Sequence, residues 1–491
     1  MVRDSFNELR TPVTNIISRI FCVIFMIITT VFLVRMAFLN VLPTKYYLII
    51  LLVLIILNLI FFHVSFRRRT TKVTSVIFSL FSVLLSAGLI LTQFKISEIE
   101  NFIKKNFDDK KTYAVYNVIV SKKSNVSVFK DLEGSEIFTY EEPVKEISND
   151  DLKKEVKNVI SDSTLVFKDD LDTVMNRVLK MTDTASIINN GTYESYLGVN
   201  EGYEEQIKII GEIKVEVTGK VDEKTDAVKS TIANTPFILL ISGIDTRTGT
   251  MPSRSLSDVN IVAAVNPNTK KILLVAIPRD TYVQIHGTTG LLDKLTHAGS
   301  LGGIDLTKST IEDFLSIKAD RYIRVNFNFV TNLVDSIGGI SVNNDLPRTL
   351  ILDGCTYVPG ENNVNGKCAL RFARERKSYD TGDRHRGENQ EQVISRILEK
   401  ISKDKNIIND YSKILNALDG SFDTNISSED ITALVRMQLN DMSGWSIESY
   451  NINGIGQNAR TYSYPNQDLY VMMPDLNTVT TAKEKISALM L

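Results

Sequence analysis

Phe237-Ile-Leu-Leu-Ile241, Val259-Asn-Ile-Val-Ala-Ala-Val265 and Ile272-Leu-Leu-Val-Ala-Ile277 are three short apolar runs rich in Val, Ile and Leu. Turn residues bound each of them, so they read as buried strands. The first ends in Ser242-Gly-Ile-Asp245, and a polar loop, Thr246 to Ser257, follows. Asp258 opens the second run, Asn266-Pro-Asn-Thr-Lys-Lys271 supplies turn chemistry, and the third ends in Pro278-Arg279-Asp280. A hairpin centred between Asn268 and Thr269 sets Asp258 opposite Arg279. If the first run lies antiparallel to the second, Asp245 reaches the same end of the sheet. Carboxylates and a guanidinium then converge on one rim. Mg²⁺ suits such a rim, because it takes carboxylate oxygens and completes its shell with water and substrate phosphates.

A basic segment returns much later. Ala369-Leu-Arg-Phe-Ala-Arg374-Glu-Arg376 reads as a strand, and Asp380–Gly387 carries Asp383, Arg384, His385 and Arg386. Gly387-Glu-Asn389-Gln390 then opens a helix whose apolar face is Val393, Ile394, Ile397, Leu398 and Ile401. Such a run can be plain solvated surface. Its place before a helix N-terminus favours anion binding instead, through unpaired N–H groups and the helix dipole. Guanidinium forks match phosphate oxygens in pairs, so Arg279, Arg374, Arg376 and Arg386 suit a diphosphate, with Asn389 and Gln390 as neutral donors.

The length of 491 residues implies more than one domain. A net charge of −2 gives no sign of a nucleic-acid partner, and three cysteines are too few for a disulfide scaffold. Ile16–Leu39, Tyr46–Phe66 and Val73–Phe94 are each apolar over the roughly 20 residues that cross a bilayer. Arg3, Arg10 and Arg19 precede or begin the first span, and Arg67-Arg68-Arg69 with Lys72 separate the second and third. The loop between the first and second spans offers only Lys45. The positive-inside rule puts the N-terminus in the cytoplasm and everything after Lys95 outside the cell.

The expected organisation is therefore a cytoplasmic N-terminus (1–15), three transmembrane helices (16–95), an extracellular accessory domain (96–234) and a catalytic domain (235–491). In the accessory domain Tyr113–Val120 and Ile207–Val217 read as strands, and Asp150–Ile160 and Phe167–Met181 as helices. The domain shows no nucleophile motif, His/Cys cluster or phosphate loop, and reads as a spacer or docking unit. In the last domain Thr307–Leu315 and Phe329–Ile337 read as helices, and Tyr322–Phe327 and Ile340–Val342 as strands. The fold class is α/β (α+β), a mixed central sheet covered by helices. Cys355 and Cys368 flank a segment that can fold back, through Pro359-Gly360 and Asn365-Gly366. Outside the cell they suit a disulfide, with free buried thiols as the alternative. His286, His297 and His385 lack metal-ligand spacing.

Taken together, Ser242-Gly-Ile-Asp245, Ser257-Asp-Val-Asn260, Ile277-Pro-Arg-Asp280, Asp293-Lys-Leu-Thr-His-Ala-Gly299, Arg324-Val-Asn-Phe327, Val334-Asp-Ser-Ile-Gly-Gly339, Arg374-Glu-Arg376 and Gly382-Asp-Arg-His-Arg-Gly-Glu-Asn-Gln390 resemble the LytR-CpsA-Psr (LCP) family of Gram-positive bacteria. The spans and accessory domain are similar to its capsule-type members. The resemblance implies transfer of a glycopolymer, capsular or teichoic-acid-like, from undecaprenyl diphosphate to peptidoglycan, forming a phosphodiester. It implies Asp245 and Asp258 at a Mg²⁺ site (Mn²⁺ as substitute). It implies Arg279, Arg374, Arg376, Arg386 and Gln390 on the pyrophosphate, with Lys294 a weaker match, and Asp383 as base or orienter.

The chain departs from the family pattern in one place. Many members read Ser-Arg-Ser-Asp, whereas here Ser253-Arg254-Ser255 is separated from Asp258 by Leu256-Ser257, which puts any role of Arg254 in doubt. Asp280 fits either a base or a structural partner of an arginine. Phe314-Leu315 and Phe329-Val330-Leu333 fit either a lipid channel or ordinary core. Two other functions use the same residues: a polyprenyl-diphosphate pyrophosphatase, and a non-enzymatic regulator that binds the lipid phosphate.

Overall fold

A computed structural model describes residues 13–67, 71–108, 111–142, 145–200, 202–217, 232–246, 251–380, 382–403, 414–415 and 417–491. Arg3, Arg10, Arg68, Arg69 and most of the expected linker Lys220–Asn234 lie outside the described residues, as does the side chain of Asp383. The chain forms two compact units. One holds the described residues up to Lys105 together with Ser427–Met442, and the other holds Asn106–Ile426 and Ser443–Leu491.

In the first unit three helices, α1 (Val13–Leu39), α2 (Thr44–Phe66) and α3 (Lys72–Ile103), are long and apolar enough to cross a membrane. Phe25, Phe61 and Phe78 pack together between them, with ring centroids 5.1 and 5.7 Å apart. Several polar groups inside the spans find partners, as apolar surroundings demand, although Asn58 Oδ1 has none among the described residues. Asn58 donates to Thr29 Oγ1 at 2.9 Å, and the Ser18 and Ser65 hydroxyls bond at 2.9 Å. A later helix, Ser428–Asp441, belongs to this unit. Its Arg436 donates to Asn40 O, and its Asn440 O accepts from Lys45 Nζ.

The second unit carries two sheets. The smaller combines β1 (Tyr113–Ser121), β2 (Glu136–Tyr140), β3 (Thr164–Lys168), β4 (Ala185–Asn189) and β5 (Ile207–Glu216), in the order β3-β2-β4-β1-β5. Helix α4 (Asn149–Val159) packs Leu152 and Val156 on one face. Helices α5 (Leu171–Lys180) and α6 (Asn190–Val199) pack Val174, Val178 and Tyr196 on the other. The expected helix Phe167–Met181 is thus in part a strand. Thr164–Lys168 pairs in parallel with β2, and the helix starts only where Asp170 accepts from Thr173 N at 2.9 Å.

The larger sheet is mixed. Strands β6 (Phe237–Ile244), β7 (Ser257–Asn266) and β8 (Lys271–Ala276) are antiparallel neighbours. Strand Arg321–Asn326 joins β6 in parallel, and Ser446–Asn451 joins β8 in parallel. Ile238, Leu240, Val262, Ala264, Leu273 and Val275 point to one face. There they meet α7 (Leu295–Leu315) and the last helix, Leu476–Met490. Burying one such side chain stabilises by roughly 1.5–3 kcal/mol. A second core joins α8 (Phe327–Ser336), α9 (Gly366–Arg374) and α10 (Asp383–Lys403). Leu315 is buried in the first core with Phe314 packed against it, and Leu333 in the second with Phe329 and Val330 packed against it.

Most of Ala369–Arg376, expected as a strand, lies in a helix, Gly366–Arg374. Asn365 caps it by accepting from Cys368 N at 3.0 Å. Ala369, Phe372 and Ala373 fall on one buried face at helical spacing, and Gly366 lies so close to Thr331 O that a Cβ would sit 2.0 Å from it. Cys355 and Cys368 are joined by a disulfide with Cα atoms 5.6 Å apart.

Candidate functional site

The β7–β8 register pairs Ile261 with Ala276 and Val262 with Val275. Continued past the last ladder pair, it brings Asp258 to Arg279, whose Nη1 lies 2.6 Å from Asp258 Oδ1. On the other side of β7 the ladder skips a residue. Gly243 faces Val259 and Ile244 faces Ser257, so Asp258 is the extra residue of a bulge. A bulge re-aims a side chain and often borders a functional site. Asp245 leaves β6 at the same end and accepts from Arg374 Nη2 at 3.0 Å. Arg374 ends α9 and lies over the Phe327 ring, 4.3 Å from its centroid. The structure therefore brings Asp245, Asp258, Arg279 and Arg374 to one rim of the sheet.

Arg279 is held by its backbone, since its carbonyl accepts from Thr296 N at 2.9 Å at the start of α7. The motif Asp293–Gly299 shows why. Asp293 is fully buried and accepts from Lys294 N (2.8 Å), His297 Nδ1 (2.6 Å) and Ser463 Oγ (2.5 Å). Burial alone would push its carboxyl up, but His297, Ser463 and the Lys294 N–H outweigh that and hold it below the usual range. Lys294 Nζ meets Asp280 Oδ1 at 3.1 Å, and Arg279 Nε lies 3.9 Å from the same oxygen. Asp280 thus sits in an ion-paired position between two cations.

The remaining candidates lie on or before α10. Arg376 is exposed and Arg386 half-buried, and Gln390 follows Arg386 by one helical turn on the same face. Asp383 is the first residue of that helix. Asn389, expected among the neutral donors, faces inward. It is 2% exposed and its amide donates to Phe372 O at 3.2 Å, so it ties α10 to α9. His385 stacks on Tyr379 at 3.4 Å, and His286 Nδ1 meets Asp313 at 2.8 Å. Further along α10 a polar cleft of about 540 Å³ opens beside Glu388, Glu391, Glu399, Asn343 and Asn451. Its carboxylates suit it poorly to a diphosphate.

Asp245 and Asp258 are each bridged to a guanidinium, and among the described residues no group of three or more His, Cys, Asp or Glu could hold a metal. Two carboxylates without a protein cage fit a hard cation that takes most of its shell from water and phosphate oxygens.

Sequence reasoning missed the surroundings of the loop Pro252–Ser257. Arg254 is 5% exposed and its guanidinium meets Glu142 at 3.0 Å and Glu146 at 3.4 Å, both from the loop that follows β2 of the five-stranded sheet. Burial pushes the Glu142 carboxyl up against the pull of Arg254. Arg324, also buried, donates to Pro252 O and, at 3.0 Å, to Ser253 O. Glu194 of α6 accepts from Ser255 Oγ at 2.6 Å and Leu256 N at 3.1 Å, and burial lifts it to about 7. The loop also lies against α7. A Cβ on Gly299 would sit 2.4 Å from Ser255 O, and Gly303, at φ +68°, would put one 2.5 Å from Ser253 O. The only sequence signal was the spacing anomaly after Arg254. The acids answering it lie more than a hundred residues away for Glu142 and Glu146, and about sixty for Glu194.

Comparison with known proteins places these features in context. Residues 196–478 match the LytR_cpsA_psr family model. A polyisoprenyl-teichoic acid–peptidoglycan teichoic acid transferase, TagU, of Enterococcus faecalis is 38% identical over 196 residues, 40% of this chain and 63% of that protein. The chain thus spans less than two thirds of that relative. The TagU of Halalkalibacterium halodurans is 35% identical over 241 residues, 49% of this chain and 73% of that protein. A crystal structure of Bacillus subtilis TagV aligns at 30% identity and a TM-score of 0.44, over 52% of this chain and 97% of the other.

Proposed function

The chain belongs to the LytR-CpsA-Psr family, and from that premise we propose that it transfers a glycopolymer from undecaprenyl diphosphate to peptidoglycan, forming a phosphodiester. The observation that carries this reading is the rim itself, where Arg279 and Arg374 pair with Asp258 and Asp245. Both arginines are partly exposed, so each can exchange a carboxylate for phosphate oxygens at small cost. Bidentate guanidinium contacts hold the diphosphate, with Arg376, Arg386 and Gln390 approaching from the α10 side. Lys294, paired with Asp280, adds positive charge beside Arg279.

Asp245 and Asp258 would hold Mg²⁺, or Mn²⁺ in its place, which supplies charge stabilisation for phosphate oxygens. The acceptor is a sugar hydroxyl of peptidoglycan. Its oxygen attacks the sugar-side phosphorus and its proton passes to a carboxylate. Asp383 is assigned as that base, because Asp280 is ion-paired to Lys294. The bond from that phosphorus to the bridging oxygen breaks, and undecaprenyl phosphate leaves with the electron pair. The arginines stabilise the charge that builds on it.

The three apolar helices anchor the protein in a membrane. We place the second unit on the outer side, and the Cys355–Cys368 disulfide supports an oxidising compartment. Whether the polymer is capsular or teichoic-acid-like follows from the donor used.

The test is transfer from a defined lipid-linked oligosaccharide to peptidoglycan by the full chain in lipid. Arg279→Ala is expected to lower turnover by about 10²–10³, the cost of removing one preorganised stabilising group. Chelation should stop transfer, and Mg²⁺ should restore it. Undiminished polymer attachment by Arg279→Ala overturns the reading. Release of polymer phosphate without attachment identifies a pyrophosphatase, and binding with neither product a regulator.

A further inference from the structure

Asp258 is delivered by the loop Pro252–Ser257, and much of what fixes that loop comes from the five-stranded domain. Ser253 N donates to Tyr113 O of β1 at 2.9 Å, and Ser253 Oγ donates to Glu146 at 2.7 Å. Arg254 is clamped by Glu142 and Glu146, and its carbonyl accepts from Asn190 of α6. Glu194 Oε1 accepts from Asn190 Nδ2 at 2.9 Å, which orients the carboxyl. Its Oε2 alone takes both Ser255 Oγ and Leu256 N. Leu256 stands two residues before Asp258, and Ser257 is the last partner of β6 before the bulge. The backbone that leads into Asp258 is thus held by an acid of α6.

We propose that Glu194 is a positioning residue for Asp258, acting through Ser255 and Leu256, and that Arg254 anchors this loop to Glu142 and Glu146 instead of binding the diphosphate. The proposal rests on the transfer reading, because it gives the five-stranded domain a part in the same site. It also accounts for the spacing anomaly. Two residues, Leu256-Ser257, lie between Ser255 and Asp258. With them, Arg254 is buried in the clamp while Asp258 is at the rim. A domain that only spaced the site from the membrane would have no reason to aim a buried carboxylate at this backbone. Positioning is costly to lose, since a displacement of about 1 Å at a reacting centre can lower the rate about a hundredfold.

The experiment compares Glu194→Ala, Glu194→Gln and Ser255→Ala in the full chain, by transfer kinetics and by hydrogen exchange of the Leu256 and Ser257 amides. Glu194→Ala is expected to lower kcat by about 10–100-fold, with KM for the lipid donor within about threefold. Exchange at the Leu256 amide should quicken by about tenfold or more, from loss of its acceptor. Glu194→Gln keeps a carbonyl acceptor and should recover most of the rate. Ser255→Ala cuts one bond, leaves the acid in place, and should show the same kcat split in smaller size, which covers a Glu194→Ala chain that fails to fold. A wild-type kcat in the Ala variants, a loss confined to donor KM, or unchanged exchange at Leu256 overturns the proposal. If the wild-type chain neither transfers nor hydrolyses, the transfer reading fails, and exchange at Leu256 alone then decides whether Glu194 holds the loop.

Discussion

The rim and the loop clamp use the same chemistry in opposite surroundings. At the rim the side chains of Arg374 and Asp245 are 43% and 33% exposed, and those of Arg279 and Asp258 are 23% and 20% exposed. In the clamp Arg254, Glu142 and Glu146 are 6%, 10% and 6% exposed. An exposed ion pair is worth little and exchanges partners freely. A buried pair is nearly neutral while intact but expensive to break, because the survivor keeps its charge without water. Ion pairing therefore does not by itself mark a ligand site. The arginines fit for phosphate are those that can leave their carboxylates.

The sharpest way to break this contrast is Arg254→Met. It leaves Glu142 and Glu146 buried without their cation, and should cost about 3–5 kcal/mol in urea unfolding. Adding Glu142→Gln and Glu146→Gln should recover much of that loss. A cost below about 1 kcal/mol would place Arg254 with the rim arginines.

Next in size is Glu391, a buried acid that lacks an arginine and has one oxygen without a hydrogen-bond partner. Burial lifts it from 4.5 to about 8, against the hydrogen bond from Asn451. Below about pH 4.5 both folded and unfolded chains hold this proton, so nothing is lost there. Between that value and about 8 the unfolded chain releases it first, and stability falls as pH rises. Glu391→Gln should flatten that decline, by on the order of 2 kcal/mol between pH 5 and pH 8. Denaturant midpoints at the two pH values read it directly, and parallel curves for variant and wild type would remove Glu391 from the comparison.

The smallest effect is expected where the function is concentrated. Arg374→Ala should change folding stability by less than about 1 kcal/mol while transfer collapses. A loss of stability as large as that of Arg254→Met would mean the rim is a structural clamp after all.

How much of this could be read in the chain varies with distance along it. The β7–β8 register follows from one turn and two apolar runs, so the meeting of Asp258 and Arg279 was legible. The helix Gly366–Arg374 was not, because its short apolar stripe also suits a strand until Gly366 is packed against Thr331. Asn389 looked like a rim donor, yet helical phase turns it toward Phe372. In the five-stranded sheet the two long strands, Tyr113–Ser121 and Ile207–Glu216, were legible, and the three short ones were harder still. Thr164–Lys168 and Glu136–Tyr140 are each 5 residues long, and they are defined by pairing with each other and, for Glu136–Tyr140, with β4.

The amino-acid order alone determined the three apolar spans, the mixed α/β class and the acidic and basic residues gathered at one end of a hairpin. These depend on local periodicity and turn chemistry, which short windows carry. Tertiary structure alone decided which arginines stay exposed at the rim and which are locked away. That choice depends on burial beside Glu142, Glu146 and Glu194, and no local pattern encodes how deeply a charge will be buried once distant segments meet.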